Sequence, residues 1–325
     1  MRAKQALMRL GRSLWFRYDA FRFIHLQVSQ LALRLRARNP ETFSGFILHK
    51  MAFDRDLRLS MFADKVKAKE HVKDLAGGKY LIKNILVSNS LRGYSQEDLP
   101  RSFVVKANHG CGAMVLVWEG AKRGERLPTK LGRENWGRFS IHPDDLDWEA
   151  LLNLSDLWMT QNYCHRYGKY PQWAYLNIDP RIIVEELVVT ELGNIPTDYK
   201  FTMFHGKCDY IAVISGGHGQ DRLVNLLDPE WNDWTAESNY QNYPKNLTKP
   251  KHLREMLELA ETLSAGIDLI RVDLYETSDG VKFGELTNYP SAGNLRWATE
   301  KIDQALGRRY QLSFPPNNSS KPSEF

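Results

Sequence analysis

Asp273 and Glu285 are the two carboxylates whose spacing most invites chemistry. They lie in IRVDLYETSDGVKFGELTNYPSAG, Ile270 to Gly293, which reads as a β-hairpin. Ile270, Val272 and Leu274 alternate with Arg271, Asp273 and Tyr275, the period of two expected of a half-buried strand. Ser278-Asp279-Gly280 supplies turn chemistry. The return strand carries Phe283, Glu285 and Thr287 on one face. A three-residue loop, Ser278 to Gly280, sets Asp273 opposite Glu285 and Arg271 opposite Thr287. A two-residue loop puts the carboxylates on opposite faces, because a slip of one residue turns every side chain over. Two adjacent carboxylates repel unless a cation lies between them. Magnesium suits that role, held by one or two carboxylates plus substrate phosphates. The planar fork of Arg271 suits a phosphate or carboxylate. The plain alternative is a surface hairpin whose polar face meets water.

Cations recur elsewhere. Lys106 ends the strand Phe103-Val104-Val105 and is followed by Asn108-His109-Gly110-Cys111-Gly112. Successive backbone N–H groups in such a glycine-punctuated turn can cradle anionic oxygens, and a lysine beside them adds a point charge. The stretch is neither GxxxxGK[ST] nor GxGxxG. A plain hairpin turn is the competing reading. Cys111 has no identifiable base partner and is not expected to be a nucleophile. Lys65 falls in the first turn of a helix that Asp64 can cap and Gly77 can end. Glu185-Glu186 closes the apolar run Arg181 to Val188, where an acid and adjoining backbone could meet an adenine amine, or simply run out to solvent.

These groups need elements to hold them. Asp198 to His205 alternates, with Tyr199, Phe201 and Met203 on one side and Asp198, Lys200 and Thr202 on the other. It turns at His205-Gly206-Lys207 into a second strand, Cys208 to Ser215. Leu253, Met256, Leu257, Ala260 and Leu263 mark an amphipathic core helix between Pro250 and Gly266. Leu151 to Tyr163 also reads as helix. Lys122 to Trp148 is polar and glycine-containing and reads as irregular or a lid. Gly216-Gly217-His218-Gly219, with Arg222 after it, reads as a connector. The tail after Leu312 is rich in Pro, Ser and Asn and reads as disordered.

The 325 residues suffice for one large domain or two lobes, with ordinary hydrophobic (42%) and charged (26%) content. The three cysteines are far apart, without CxxC or Cys/His spacing, which suggests a reducing compartment and no zinc. No apolar run is long enough to span a membrane. The net charge of +5 is uneven. Residues 1–38 hold nine Lys/Arg and one acid, leaving 35 basic against 38 acidic side chains for the rest. That segment reads as a basic, aromatic, amphipathic helix rather than a secretory signal. Two readings stand: peripheral contact with an anionic membrane, or packing on the protein body. Nucleic-acid binding is not expected.

The order of these pieces resembles the ATP-grasp superfamily, and more closely its TupA-like family. NPETF, ADKVKAKEHVKD, FVVKANHGCG, DPRIIVEELV, DYKFTMFHGK, DPEW and the hairpin carry the resemblance, from about Asn39 to about Leu312. It implies an α+β ATP-grasp fold, two α+β lobes gripping ATP, with a short helical N-terminal region. The implied organisation is a basic helical segment over 1–38, a family region over 39–312 (39–100, 101–188 and 189–312) and a tail over 313–325. ATP and Mg²⁺ are the implied cofactors. Lys65 and Lys106 match phosphate-contacting lysines, and Asn108, His109, Gly110, Cys111 and Gly112 match the loop over the triphosphate. Glu185, Glu186 and Val188 match the adenine hinge, and Lys200 a further nucleotide contact. Asp273, Glu285 and Thr287 match the metal side, although many ligases of the superfamily carry Glu-x-Asn where this chain has Glu285-Leu286-Thr287. Arg271 matches an arginine at the transferred phosphate or acceptor, so Arg271 and Lys200 are the expected catalytic residues. Glu191 is the nearest candidate for a ribose acid.

The resemblance implies an ADP-forming carboxylate–amine ligase in the synthesis of cell-surface polysaccharide or cell-wall polymer. Its partners would be a small-molecule or lipid-linked sugar-acid acceptor and an amine donor. The setting would be cytoplasmic or peripheral on the inner face of the membrane. A sugar kinase using the same ATP site is the alternative enzyme; a nucleotide-binding membrane-surface scaffold is the alternative of another class.

Overall fold

The computed structural model describes residues 27–165, 170–215, 223–239 and 247–312. Most of the 1–38 segment, the Gly216–Gly219 loop with Arg222, and the 313–325 tail lie outside these. A helix over 27–36 (α1) is followed by α2 (Phe43–Phe53), α3 (Leu57–Ala63) and α4 (Lys65–Ala76). Strands β1 (Asn84–Ser88), β2 (Phe103–Ala107), β3 (Met114–Val117) and β4 (Arg138–Ile141) precede α5 (Trp148–Met159) and β5 (Ile182–Glu186). Then come β6 (Asp198–Phe204), β7 (Lys207–Ser215), β8 (Leu223–Leu227), α6 (Leu253–Ser264), β9 (Leu269–Thr277), β10 (Gly280–Thr287) and α7 (Glu300–Leu312).

The strands form two five-stranded sheets, ordered β1-β5-β2-β3-β4 and β10-β9-β6-β7-β8, so the class is α+β as expected. β4 runs parallel to β3, and every other pairing is antiparallel. β2 alternates cleanly, with Phe103, Val105 and Ala107 buried. α6 lies on β6, β7 and β9 and also touches α4. Its buried face includes Leu259 where Leu257 was expected. The stretch read as irregular contains β4 and the buried Trp136. Four residues give too short an alternation to stand out in a polar run.

The β9–β10 hairpin reaches the expected pairing by a different route. Thr277 pairs with Gly280, so the loop is the two residues Ser278 and Asp279. That register would part Asp273 from Glu285. A bulge between Phe283 and Glu285 restores it: Phe283 pairs with Leu274, but Glu285 with Asp273 and Thr287 with Arg271. Phe283 therefore points into the core while Glu285 points to the other face. A bulge adds one residue to one strand and re-aims the side chains beyond it. Gly284 permits it, since a Cβ there would lie 2.9 Å from the Tyr275 ring and 3.0 Å from the Asp273 carbonyl oxygen.

Candidate active site

Three adjacent strands bring Lys200, Asp273 and Glu285 into one cross-strand row. Asp273 is almost fully buried, and a buried carboxylate needs charged or hydrogen-bonding partners. Arg271 donates from Nε to Asp273 Oδ1 at 2.6 Å and from Nη2 to Oδ2 at 2.7 Å. The same Nη2 reaches Glu285 Oε1 at 3.2 Å and Thr287 Oγ1 at 3.0 Å. Lys200 bridges Asp273 and Asp198, the latter at 2.6 Å. Burial acts to raise the pKa of Glu285, but Lys65, Lys200, Arg271 and Arg138 overcome it and hold the carboxyl at about 2. Burial likewise lifts Asp273, with Arg271 and Lys200 opposing.

Lys65 is the first residue of α4, capped by Asp64, whose carboxylate accepts from Val66 N at 3.0 Å. The Lys65 ammonium donates to the Gly110 carbonyl oxygen. Burial lowers its pKa, and Glu285 nearby works the other way. Lys106 pairs with Glu185 Oε2 at 2.5 Å. Glu185 is not at a solvent-facing strand end. β5 is an interior strand, and Lys69 holds the other oxygen of Glu185 at 2.6 Å. Burial would raise the Glu185 pKa, but Lys106 and Lys69 bring it below the ordinary value. A side-chain contact from Glu185 to adenine does not fit this arrangement, because both oxygens face lysines. Glu186 is exposed and pairs with Lys83 at 2.9 Å, while Val188 is half-buried just beyond β5.

The glycine turn divides into struts and lining. The Asn108 amide donates to Asp64 Oδ1 at 2.9 Å and to the Asp179 carbonyl at 3.0 Å, and its oxygen accepts from Arg181 N at 2.7 Å. His109 lies within hydrogen-bond distance of Asn108 Oδ1 and of the Trp158 and Gln161 carbonyls. Both side chains are buried, so they brace the turn from behind instead of reaching a triphosphate. Gly110 must be glycine, since a Cβ would sit 2.5 Å from Trp136 and 2.6 Å from Tyr163. Cys111 and Gly112 face a cavity of about 820 Å³.

Lys200, Arg271, Glu285 and Thr287 also line that cavity, together with Asp198, Arg138 and an aromatic wall of Trp136, Tyr163, Tyr175 and Tyr289. Asp273 lies beneath the lining, and Lys65 and Glu285 share a small recess beside it. Lys106, Glu185, Glu186 and Val188 belong to the first sheet and its edge rather than to this lining. Sequence reasoning missed Lys69, Asp198 and Arg138. Lys69 was legible as the residue one helical turn after Lys65, and Asp198 as the neighbour of Lys200 on the polar side of β6. Arg138 gave no signal within its polar stretch. Glu191 pairs with Lys251 at 3.2 Å, and both are largely exposed.

No group of three or more His, Cys, Asp or Glu side chains is placed to hold a metal among the described residues. A magnesium site needs fewer when phosphates complete it. Asp273 and Glu285 in direct register, with the Thr287 hydroxyl beside them, are hard oxygen donors of that kind. Asp198 Oδ1 is buried with no hydrogen-bond partner, a further uncommitted acceptor at this wall. The donor set fits a hard divalent cation, with Arg271 and Lys200 supplying the neutralising charge here.

A solved PsnB ATP-grasp ligase complexed with minimal precursor is 10% identical, with 79% of this chain and 61% of that chain covered and a TM-score of 0.38. D-alanine–D-alanine ligase from Bacillus anthracis complexed with ATP is 13% identical, with coverages of 78% and 65% and a TM-score of 0.42. N5-carboxyaminoimidazole synthetase from Staphylococcus aureus complexed with ADP is 10% identical, with coverages of 71% and 44% and a TM-score of 0.37. The match thus spans less than two thirds of each of these chains. No curated protein is matched. The family model described as TupA-like ATPgrasp matches residues 46–311, from α2 through α7, and the protein belongs to the TupA-like ATP-grasp family.

Proposed function

We propose that the protein is an ATP-dependent carboxylate–amine ligase that works through an acyl phosphate. The observation that carries this is the Lys200–Asp273–Glu285 row with the Arg271 fork, set in the wall of a cavity that the glycine turn also lines. ATP phosphorylates an acceptor carboxylate, and an amine then displaces phosphate to form the amide. Asp273, Glu285 and Thr287 would hold magnesium, which when bound spreads the negative charge of the phosphates. Lys65 and Lys106 neutralise the nucleotide phosphates, and Glu185 with Lys69 fixes where the Lys106 ammonium lies. Arg271 and Lys200 exchange carboxylate partners for the transferred phosphoryl group and the acceptor carboxylate. Such catalysis is mostly positioning and charge stabilisation. Removing one well-placed donor should slow the reaction by ~10²–10³.

Family membership supports the broader setting: amino acid joined to a sugar acid, in cell-surface polysaccharide or cell-wall polymer synthesis, in the cytoplasm where ATP is available. The acceptor would be a soluble or lipid-linked sugar acid. Calorimetry of ATP binding with and without Mg²⁺ tests the core of the reading. Binding should require Mg²⁺ and be lost in Lys106→Ala and in the Asp273→Asn/Glu285→Gln double variant. A folded wild type that binds no ATP would overturn it. Mg²⁺-dependent ADP formation that yields a stable phosphorylated sugar without any amine would replace the ligase with a kinase.

A further inference from the structure

The helix over 27–36 presents two opposite apolar faces. At 3.6 residues per turn, Val28, Leu31 and Leu35 fall within about 60° of one another. All three are exposed, at 61%, 60% and 67%. Leu33 and Ala37 project from the other side and are buried. His49 on α2 lies 2.8 Å from the Ala37 carbonyl oxygen and fastens the end of the helix. The body therefore already holds one face, and the stripe opposite it has nothing against it among the described residues. Single exposed apolar residues are ordinary, but three aligned aliphatic side chains mark a contact surface.

The flanking charges indicate what covers it. Arg34 and Arg36 each lie about 100° from Leu35, one on either side, and both are exposed, as is Arg38. An apolar stripe edged by arginines is the pattern of a helix lying in a bilayer interface, its stems along the acyl chains and its guanidinium groups at the headgroups. The whole segment 1–38 carries nine basic residues against one acid, while the remainder is slightly acidic. An anionic surface attracts the first and repels the second, which orients the body away from the lipid. A second copy of this chain would bring the same positive charge and be repelled.

We infer that the Val28/Leu31/Leu35 face of α1 docks on an anionic phospholipid bilayer, held on the body by Leu33 and Ala37. This contact is independent of the nucleotide reading and needs no ATP.

Vesicle flotation of the full chain tests it, with phosphatidylcholine vesicles and with phosphatidylcholine–phosphatidylglycerol vesicles. Wild type should float with the anionic vesicles only, and added salt should weaken this. Leu31→Asp or Leu35→Asp should each lower partitioning by about tenfold or more. Neutralising Arg34 or Arg36 to Gln should cost about fivefold each. Both leucines are exposed, so thermal unfolding of the variants should match wild type and rule out misfolding as the cause. Three outcomes would overturn the inference. One is no flotation with either vesicle. A second is flotation unchanged by the leucine substitutions. The third is a wild-type dimer in light scattering that Leu31→Asp dissociates.

Discussion

Glu185 has one carboxylate and two lysines. Lys69 also donates to the Ile82 carbonyl at 2.7 Å and to Asn84 Oδ1 at 2.5 Å, so its ammonium is fully engaged. Glu185→Gln keeps the volume and removes the counter-charge from two largely buried cations. Breaking a buried pair in this way leaves uncompensated charge, at about 3 kcal/mol or more. Equilibrium urea unfolding should show a loss of that size, and a loss below about 1 kcal/mol would mean the lysines behave as surface groups. The role of Glu185 was not legible in the sequence, because Ile182 to Glu185 are all buried and give no alternation to say which way an acid points. The pairs of the second sheet were more legible, since β6 alternates apolar and polar residue types in sequence, even though Tyr199 to Phe204 are all buried.

At the scale of elements, the hairpin depends on a compensation. A two-residue turn and a bulge at Gly284 together give the pairing that a three-residue turn would give alone. Pattern reading found the right partners by the wrong loop, since glycine in a strand signals a bulge only when its neighbours are known. Gly284→Ala forces a methyl against the Tyr275 ring and the Asp273 carbonyl. Overpacking of this kind costs about 1–3 kcal/mol. The larger expected effect is on function: Glu285 shifts relative to Asp273, and Mg²⁺-dependent ATP binding in calorimetry weakens more than stability does. Unchanged binding would show that the bulge does not set the carboxylate pair.

α7 packs on α2 and is tied to β7 by an ion pair, whose burial should make stability pH-dependent. Arg309 meets Asp209 at 2.7 Å, yet burial lifts Asp209 to about 6 despite that cation. The raised pKa means the folded state binds the proton more tightly than the unfolded one. Its contribution is fully present below about 3.8 and is lost as pH rises through about 6. The roughly two-unit shift amounts to about 3 kcal/mol. Asp209→Asn should remove this pH dependence. The variant should match wild type near pH 4 and exceed it by about 3 kcal/mol near pH 7 in denaturant unfolding. A constant difference across that range would mean Asp209 titrates normally.

On the scale of the whole molecule, the site belongs to neither sheet alone. The turn after β2 contributes Cys111 and Gly112 to the cavity lining, the second sheet contributes Lys200, Arg271 and Glu285 with Asp273 beneath them, and α4 places Lys65 in the recess alongside, while Lys106 stays behind in the first sheet. The order of these residues was readable along the chain because each sits at the end or on the polar face of a recognisable element. Their convergence across the cavity was not, since it depends on how α4 packs on β10 while its Lys65 and Lys69 reach the turn after β2 and strand β5. A ligand that bridges both sheets should couple them. ATP with Mg²⁺ at about one hundred times its dissociation constant should add about 2.7 kcal/mol of stability, or about 5 °C in Tm for a chain of this size. Amide exchange should then slow together at Asn108 to Gly112 and along β9 and β10. The Asp273→Asn/Glu285→Gln variant should lose both effects. Protection confined to β9 and β10 would mean that nucleotide binds without bridging the cavity, and Lys65 and the glycine turn would then have no part in holding it.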